Sequence, residues 1–126
     1  MSRENVELVR EGYEAWRRTR QLDFDLLDPD VEWVFHGTPA GDVVYRGWDG
    51  IRKWFAEQDD AWSDQWWEAE DVRETPDGRV IALIVAHAVG RDSGAPVSLP
   101  LANIWTIEDG RATRFEMFID RKADLE

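Results

Sequence analysis

Residues 97–120 read VSLPLANIWTIEDGRATRFEMFID, and this stretch predicts two long β-strands joined by a tight turn. Apolar residues alternate along both halves, which places them on one face of each strand. Asp109-Gly110 separates the halves, and Asp-Gly tolerates the positive φ angles of a two-residue type I′ turn. One polar residue, Asn103, interrupts the apolar face. A buried carboxamide there needs a protein partner, a water molecule or a ligand.

The composition predicts one compact domain that is rich in aromatic residues. The chain has 126 residues, enough for a substantial hydrophobic core. Eight tryptophans and five phenylalanines supply more rigid apolar surface than a small core usually uses. The chain has no cysteine, which excludes disulfides, thiolate nucleophiles and cysteine–zinc sites. Its two histidines are far apart and form no recognisable metal motif, so we expect no metal and no cofactor.

The charge distribution excludes two classes of partner. A formal net charge of −12 argues against nucleic acid, because such binding depends on Lys and Arg that neutralise phosphates. The same charge argues against anionic membrane surfaces. The N-terminal residues are charged and amphipathic, without the apolar core of a signal peptide, and no apolar run reaches transmembrane length. We therefore expect a cytoplasmic protein.

Hydrophobic periodicity predicts an α+β fold. Helical spacing indicates a helix that ends near Arg18, a shorter helix at 21–27 and a third helix from about 47 to 62. Strand-like alternation indicates strands at 31–35, 66–75 and 79–89, before the final hairpin. The strand at 79–89 is apolar on both faces, which predicts that it is covered on both sides. His36 opens a predicted loop at 36–41, where we expect it to be exposed. Helices that precede a run of strands are typical of an α+β domain with a mainly antiparallel sheet.

The sequence resembles the SnoaL-like branch of the nuclear-transport-factor-like superfamily, which includes ketosteroid isomerases and limonene-epoxide hydrolases. Four stretches in the family order carry the resemblance: NVELVREGYEAW at 5–16, LDPDVEW at 27–33, YRG at 45–47 with Gly50-Ile51, and WTIEDGR at 105–111 with FIDR at 118–121. The resemblance implies that residues 1–126 form a single cone-shaped domain. In it, a curved mixed, mainly antiparallel sheet wraps around about three N-terminal helices and encloses an apolar pocket. It also implies a homodimer through the outer sheet face.

The resemblance implies a fold more firmly than an activity, because this fold serves isomerases, cyclases, hydrolases, dehydratases and pure binding modules. Ketosteroid isomerases use a carboxylate base in the first strand, where this chain has Trp33 and Phe35 as inward residues. Limonene-epoxide hydrolases use a carboxylate in the last strand, where it has Met117. None of these three side chains can accept a proton. Neither activity is therefore expected in its usual form.

Two polar residues on apolar strands are the catalytic candidates. His87 lies among apolar residues of the strand at 79–89, and a buried histidine can act as an acid or base near neutral pH. A histidine bonded in the core or at a dimer interface is the alternative. Asn103 could hold a carbonyl or hydroxyl oxygen, or make a structural hydrogen bond instead. The residues expected to line the pocket are Tyr13, Trp16, Trp33, Phe35, Trp54, Phe55, Trp62, Leu101, Trp105, Phe115 and Met117.

The sequence thus predicts a protein that binds a small apolar molecule, of ketone-like or polycyclic type, and that could isomerise, cyclise or dehydrate it. A non-catalytic dimeric module with a vestigial pocket is the alternative. A cavity of ~300 Å³ or more that His87 and Asn103 reach favours the first hypothesis. A packed interior without an opening favours the second.

Overall fold

The structure is a computed structural model that describes residues 2–118, so Ile119 and Asp120 of the predicted hairpin lie outside the described residues. The elements follow one another in this order: α1 (Ser2–Thr19), a 3-10 turn (Phe24–Leu26), β1 (Leu27–Thr38), β2 (Gly41–Arg46), α2 (Gly47–Ala61), β3 (Trp62–Glu74), β4 (Val80–Gly90), β5 (Pro96–Glu108) and β6 (Arg111–Phe118). Neither α-helix within this part of the chain is long and apolar enough to cross a bilayer.

The six strands form one mixed sheet in the order β2-β1-β6-β5-β4-β3. Only the β1–β6 pair is parallel among the described strands. Register shifts interrupt the pairing of β3 with β4 and of β1 with its neighbours, and such bulges bend and twist strands. The sheet curls around the two helices, which confirms the predicted α+β cone. We call the face that meets the helices the inner face, and the opposite one the outer face.

Each helix covers a different part of the inner face. Helix α1 buries Val9, Tyr13 and Trp16 and packs mainly on β3. Helix α2 buries Ile51 and Trp54 and packs mainly on β1. These residues recur at helical spacing, so each helix presents one apolar stripe to the sheet.

Aromatic rings fill the narrow part of the cone. Trp33 of β1 stacks on Phe115 of β6, with ring centroids 4.0 Å apart, and both side chains are 0% exposed. Trp67 of β3 packs against two further rings, with its ring centroid 5.6 Å from that of Phe115 and 4.5 Å from that of Trp16. Offset and tilted pairs of this kind contribute beyond the area that they bury. The deep interior is therefore packed, and the cavities described below lie nearer the wide end and beside α1.

Three predicted elements differ from the structure. The predicted helix at 21–27 is only the three-residue turn Phe24–Leu26, because Asp23 caps it and the chain enters β1 at the buried Leu27. The cone thus contains two α-helices within residues 2–118, rather than about three. Trp62 was expected on the third helix but begins β3. His36 lies within β1 and not in a loop, since β1 continues to Thr38.

Strand β4 also differs from its prediction. No helix or strand within residues 2–118 covers its outer face, where Leu83, Val85 and His87 remain partly exposed. The hairpin turn, by contrast, is confirmed. Asp109 and Gly110 have φ angles of 53° and 78°, and Glu108 pairs with Arg111 on either side of them.

Candidate functional site

A cavity of about 320 Å³ opens at the wide end of the cone, and we call it the mouth cavity. It lies between α2 and the inner face of the sheet. Its lining includes five of the predicted pocket residues: Phe35, Trp54, Trp62, Leu101 and Met117. It also includes residues that the sequence reasoning missed: Thr38, Val43, Tyr45, Gln58, Gln65, Trp67, Ala86, Ala88, Val97 and Leu99.

Strand register explains why there is space at this end. The inner face of β4 carries Ala86 and Ala88, and their small side chains oppose Trp67 and Gln65 of β3. On the other side of β4, the same alanines oppose Leu99 and Val97 of β5. Those two β5 side chains are 46% and 45% exposed, so the cavity leads outward along an apolar surface. Small residues opposite large ones thus leave room that a longer side chain on β4 would fill.

A larger cavity of about 500 Å³ lies beside α1, and we call it the helix cavity. Three predicted pocket residues line it: Tyr13, Trp16 and Trp105. Its lining also includes four charged side chains, those of Glu11, Glu14, Arg18 and Asp23, whereas no Lys, Arg, Asp or Glu of residues 2–118 lines the mouth cavity. A third cavity, of about 360 Å³, lies between α1 and β3 among Arg10, Glu11, Glu14, Arg17 and Glu68. An apolar ligand in the mouth cavity would not dehydrate any of these charged groups. In the other two cavities, dehydration of the charged side chains would oppose its binding.

The remaining predicted pocket residues lie in the packed interior. Trp33 and Phe115 are completely buried and line none of these three cavities. Phe55 packs its ring against Trp16 and Trp54, with centroids 5.6 and 4.8 Å away. These side chains support the cavity walls from behind.

His87 lies on the outer face, away from the aromatic interior. It pairs with Trp66 of β3 and Ser98 of β5, while the next residues along these strands, Trp67 and Leu99, occupy the inner face. Its Nδ1 is 2.9 Å from the Ser98 hydroxyl, and its Nε2 is 3.0 Å from a Glu68 oxygen. The ring also stacks on Trp66. Residue 87 borders the mouth cavity, but its ring nitrogens are engaged on the opposite face of the sheet, so this geometry does not support a pocket role.

Asn103 is inward-facing and 0% exposed, and its partner is Tyr13 of α1. Its Nδ2 lies 2.8 Å from the Tyr13 hydroxyl, which also accepts a 2.8 Å hydrogen bond from the Trp105 indole. Burial raises the pKa of Tyr13 well above its usual value, against the opposing effect of these two donors. Asn103 Oδ1 and the Trp33 indole nitrogen have no hydrogen-bond partner within the described residues. The structure thus joins two of the predicted polar residues but places neither beside His87.

Two polar groups of the mouth cavity are held by neighbouring residues. The Tyr45 hydroxyl donates to a Glu57 oxygen at 2.5 Å, and this hydrogen bond is the main reason why its pKa is raised to about 12. The Thr38 hydroxyl donates to the Gly41 carbonyl. Neither group is an available base at neutral pH. No cluster of His, Asp or Glu within residues 2–118 could hold a metal ion.

The SnoaL-like domain model matches residues 9–115. The chain belongs to the SnoaL-like domain family. The match spans most of the cone, from the first helix to the last strand, and confirms the family that the four sequence stretches indicated. No protein with curated annotation matches the sequence.

Solved structures support the same fold. An NTF2-like protein of unknown function from Burkholderia pseudomallei K96243 is 25% identical, with a TM-score of 0.78 over 98% of this chain and 95% of that one. The structure of TerC, co-crystallised with polyporic acid, is 26% identical, with a TM-score of 0.78 over 95% and 94% of the two chains. A putative SnoaL-like polyketide cyclase from Jannaschia sp. CCS1 is 18% identical, with a TM-score of 0.71 over 98% and 90%, and supports the fold alone.

Proposed function

We propose that this protein binds a small, uncharged molecule with aromatic rings in the mouth cavity. The observation that carries the proposal is the convergence of aromatic and apolar side chains from α2, β1, β3, β5 and β6 around about 320 Å³ of open space. Ligand sites of small molecules typically have this size and this apolar lining. TerC, a relative of similar fold, was co-crystallised with a small molecule, which further supports a binding role.

Charge favours a neutral ligand. Among the described residues, the cavity lining contains no Lys or Arg that would pair with an anion, and the formal net charge of −12 repels anions at a distance. Nor does this described part of the lining contain an Asp or Glu that would pair with a cation. Affinity must then come mainly from apolar contact and ring stacking.

The geometry favours the binding part of the predicted function over its catalytic part. Isomerisation, cyclisation or dehydration by acid–base chemistry needs a group that exchanges a proton within hydrogen-bond reach of the ligand. The titratable residues of the lining, within the part of the chain that the structure describes, are Tyr45 and His87. Tyr45 is held by Glu57, and His87 directs its ring outward. We therefore propose binding as the function, with no proton-transfer role for either side chain.

Equilibrium dialysis with 2-methylnaphthalene tests this proposal, with the ligand quantified by chromatography. The variant Ala88→Phe places a ring in the mouth cavity, and we expect it to weaken binding at least tenfold. Gly12→Leu is the matched control, because Gly12 borders the helix cavity and a Cβ there meets no atom within 4 Å. We expect Gly12→Leu to leave the affinity within about twofold of the parent protein.

Two outcomes would contradict the proposal. No measurable binding by the parent protein up to the solubility limit of the ligand would refute the binding function. Loss of binding in Gly12→Leu, with normal binding in Ala88→Phe, would move the site to the helix cavity.

A second proposal concerns association of two copies through the outer sheet face. Four apolar side chains lie there in the centre of the sheet, those of Val34, Ile81, Ala102 and Ile104, each at most 7% exposed. The partly exposed Leu83 and Val85 extend this apolar strip. A homodimer would remove the partly exposed Leu83 and Val85 from water and extend the apolar area that is already buried beside them. Light scattering of the parent protein tests this association.

A further inference from the structure

We propose that Gln58 and Gln65 determine ligand specificity by binding an oxygen atom, a carbonyl or a hydroxyl, at the outer edge of a neutral aromatic molecule. The inference rests on the proposed binding function and adds to it the chemical class of the ligand. It assigns a role to two residues that the sequence reasoning did not select.

The two glutamines are the cavity's unused polar side chains. Apart from the indole rings, five polar side chains from residues 2–118 line the mouth cavity. Those of Thr38, Tyr45 and His87 already bind other protein groups. The carboxamides of Gln58 and Gln65 make no side-chain hydrogen bond to any residue within 2–118, although both residues are partly buried. Water reaches these amides in the free protein, and a ligand that displaces this water must offer them hydrogen bonds of its own to avoid a loss of affinity.

Strand register places these amides at the opening and the aromatic rings deeper inside. Gln65 shares a row across the sheet with Ala88 and Val97, and Val97 is 45% exposed. Trp67, which is 3% exposed, lies two residues further along β3. Gln58 lies in the last turn of α2, one turn before Trp62 at the start of β3. A ligand that inserts its rings toward Trp67 thus leaves its outer edge near the two amides.

The chemistry of a carboxamide determines what that edge carries. Each glutamine offers N–H donors and a carbonyl acceptor but no charge. A ketone oxygen can accept from the N–H group, and a hydroxyl can accept from it or donate to the carbonyl. A carboxylate or phosphate finds no cation among the described lining residues, and the net charge of the chain opposes its binding. Neutral aromatic ketones, quinones and phenols are the class that fits.

Comparison of two probes of similar shape tests this inference. Menadione and 2-methylnaphthalene share the fused rings and the methyl group, and only menadione carries two carbonyl oxygens. The chain has no cysteine, so no thiol can add to the quinone ring. Equilibrium dialysis of the parent protein should show menadione bound about three- to tenfold more tightly, as one neutral hydrogen bond would give.

Nearly isosteric variants then assign the preference to the glutamines. Gln58→Met and Gln65→Met keep the side-chain length but remove the hydrogen bonds, so the double variant should bind both probes with affinities within twofold of each other. The affinity for 2-methylnaphthalene should stay the same or rise. Gln21→Met is the control, since Gln21 is exposed and lies outside the mouth cavity, and it should keep the parent preference.

The possible failures are distinguishable. If the parent protein does not bind 2-methylnaphthalene, the proposed function itself is refuted. If both bind equally, or if the double methionine variant keeps the preference for menadione, binding in the mouth cavity stands but the role of the two glutamines is refuted.

Discussion

Substitution of Tyr13 by phenylalanine removes one oxygen atom on which two buried hydrogen bonds depend. Asn103 Nδ2 and Trp105 Nε1 both lie 2.8 Å from the Tyr13 hydroxyl, and the three residues are at most 9% exposed. The variant keeps the aromatic ring but leaves two buried donors without an acceptor. Each unsatisfied donor lowers the free energy of unfolding by ~1–3 kcal/mol. The variant no longer has to bury the hydroxyl itself, which offsets part of this loss. We therefore expect Tyr13→Phe to lower the free energy of unfolding by about 2–3 kcal/mol.

Urea denaturation followed by circular dichroism measures this change, and thermal unfolding should show a lower midpoint by roughly 8–12 °C. Tyr45→Phe is the matched control, because the Tyr45 hydroxyl bonds the exposed Glu57, and its cost should stay within about 0.5 kcal/mol. In the double variant Tyr13→Phe/Asn103→Leu, the cost should fall short of the sum of the single variants by ~1 kcal/mol, because the pair is coupled. Equal stability of Tyr13→Phe and Tyr45→Phe would refute the assignment.

Three further predictions use other parts of the molecule. Burial raises the pKa of Tyr13 above its unfolded value of 10.0, so the contribution of Tyr13 to stability is present below pH 10.0. Above pH 10.0 this contribution is lost by up to ~1.4 kcal/mol per pH unit. Urea titrations should show a smaller loss of stability in Tyr13→Phe than in the parent protein, and an equal loss would contradict the assignment. Burial lowers the pKa of His36, but hydrogen bonds to Glu116 and Asp42 outweigh this effect and raise the pKa above 6.5. The stability that protonated His36 contributes is therefore present below pH 6.5 and is lost as the pH rises through the folded-state pKa. NMR titration should find a raised pKa, with His36→Gln to assign the signal, and a pKa below 6.5 would disprove this prediction. Light scattering at micromolar concentration should find a dimer that Leu83→Arg dissociates and Leu99→Arg does not, and a monomeric parent protein would exclude the dimer.

The strands of the last hairpin were predictable because one of their faces is strongly apolar and Asp-Gly fixes the turn. The same alternation placed Asn103 inward, where it is completely buried. The short turn Phe24–Leu26 was not predictable as such, since Leu22, Leu26 and Leu27 have helical spacing although Leu27 belongs to a strand. Tertiary packing of Leu27 decides that boundary, and local sequence does not carry this information.

The candidate site was less predictable, because β4 is apolar on both faces and its sequence does not say which face is the inner one. Three of the inner residues of β4 are alanines, because Trp67 and its aromatic neighbours fill much of the inside, whereas Ile81, Leu83 and Val85 lie on the outer face. His87 shares the parity of those larger residues and lies outside with them. Gln58 could have been found from its helical spacing with Trp54, and Gln65 from its alternation with Trp67. The role that we propose for them rests on the absence of other side-chain hydrogen-bond partners within residues 2–118, which only the structure reveals.

The most direct test of the account is a titration of ¹⁵N-labelled protein with 2-methylnaphthalene, in which the indole N–H signals of the eight tryptophans are followed by NMR. Single Trp→Phe variants assign Trp62, which lines the mouth cavity, and Trp105, which lines the helix cavity. Binding in the mouth cavity predicts a saturable shift of the Trp62 signal, caused by the ring current of the ligand, with little change at Trp105. A shift at Trp105 with Trp62 unchanged, or no shift at any indole, would contradict the account.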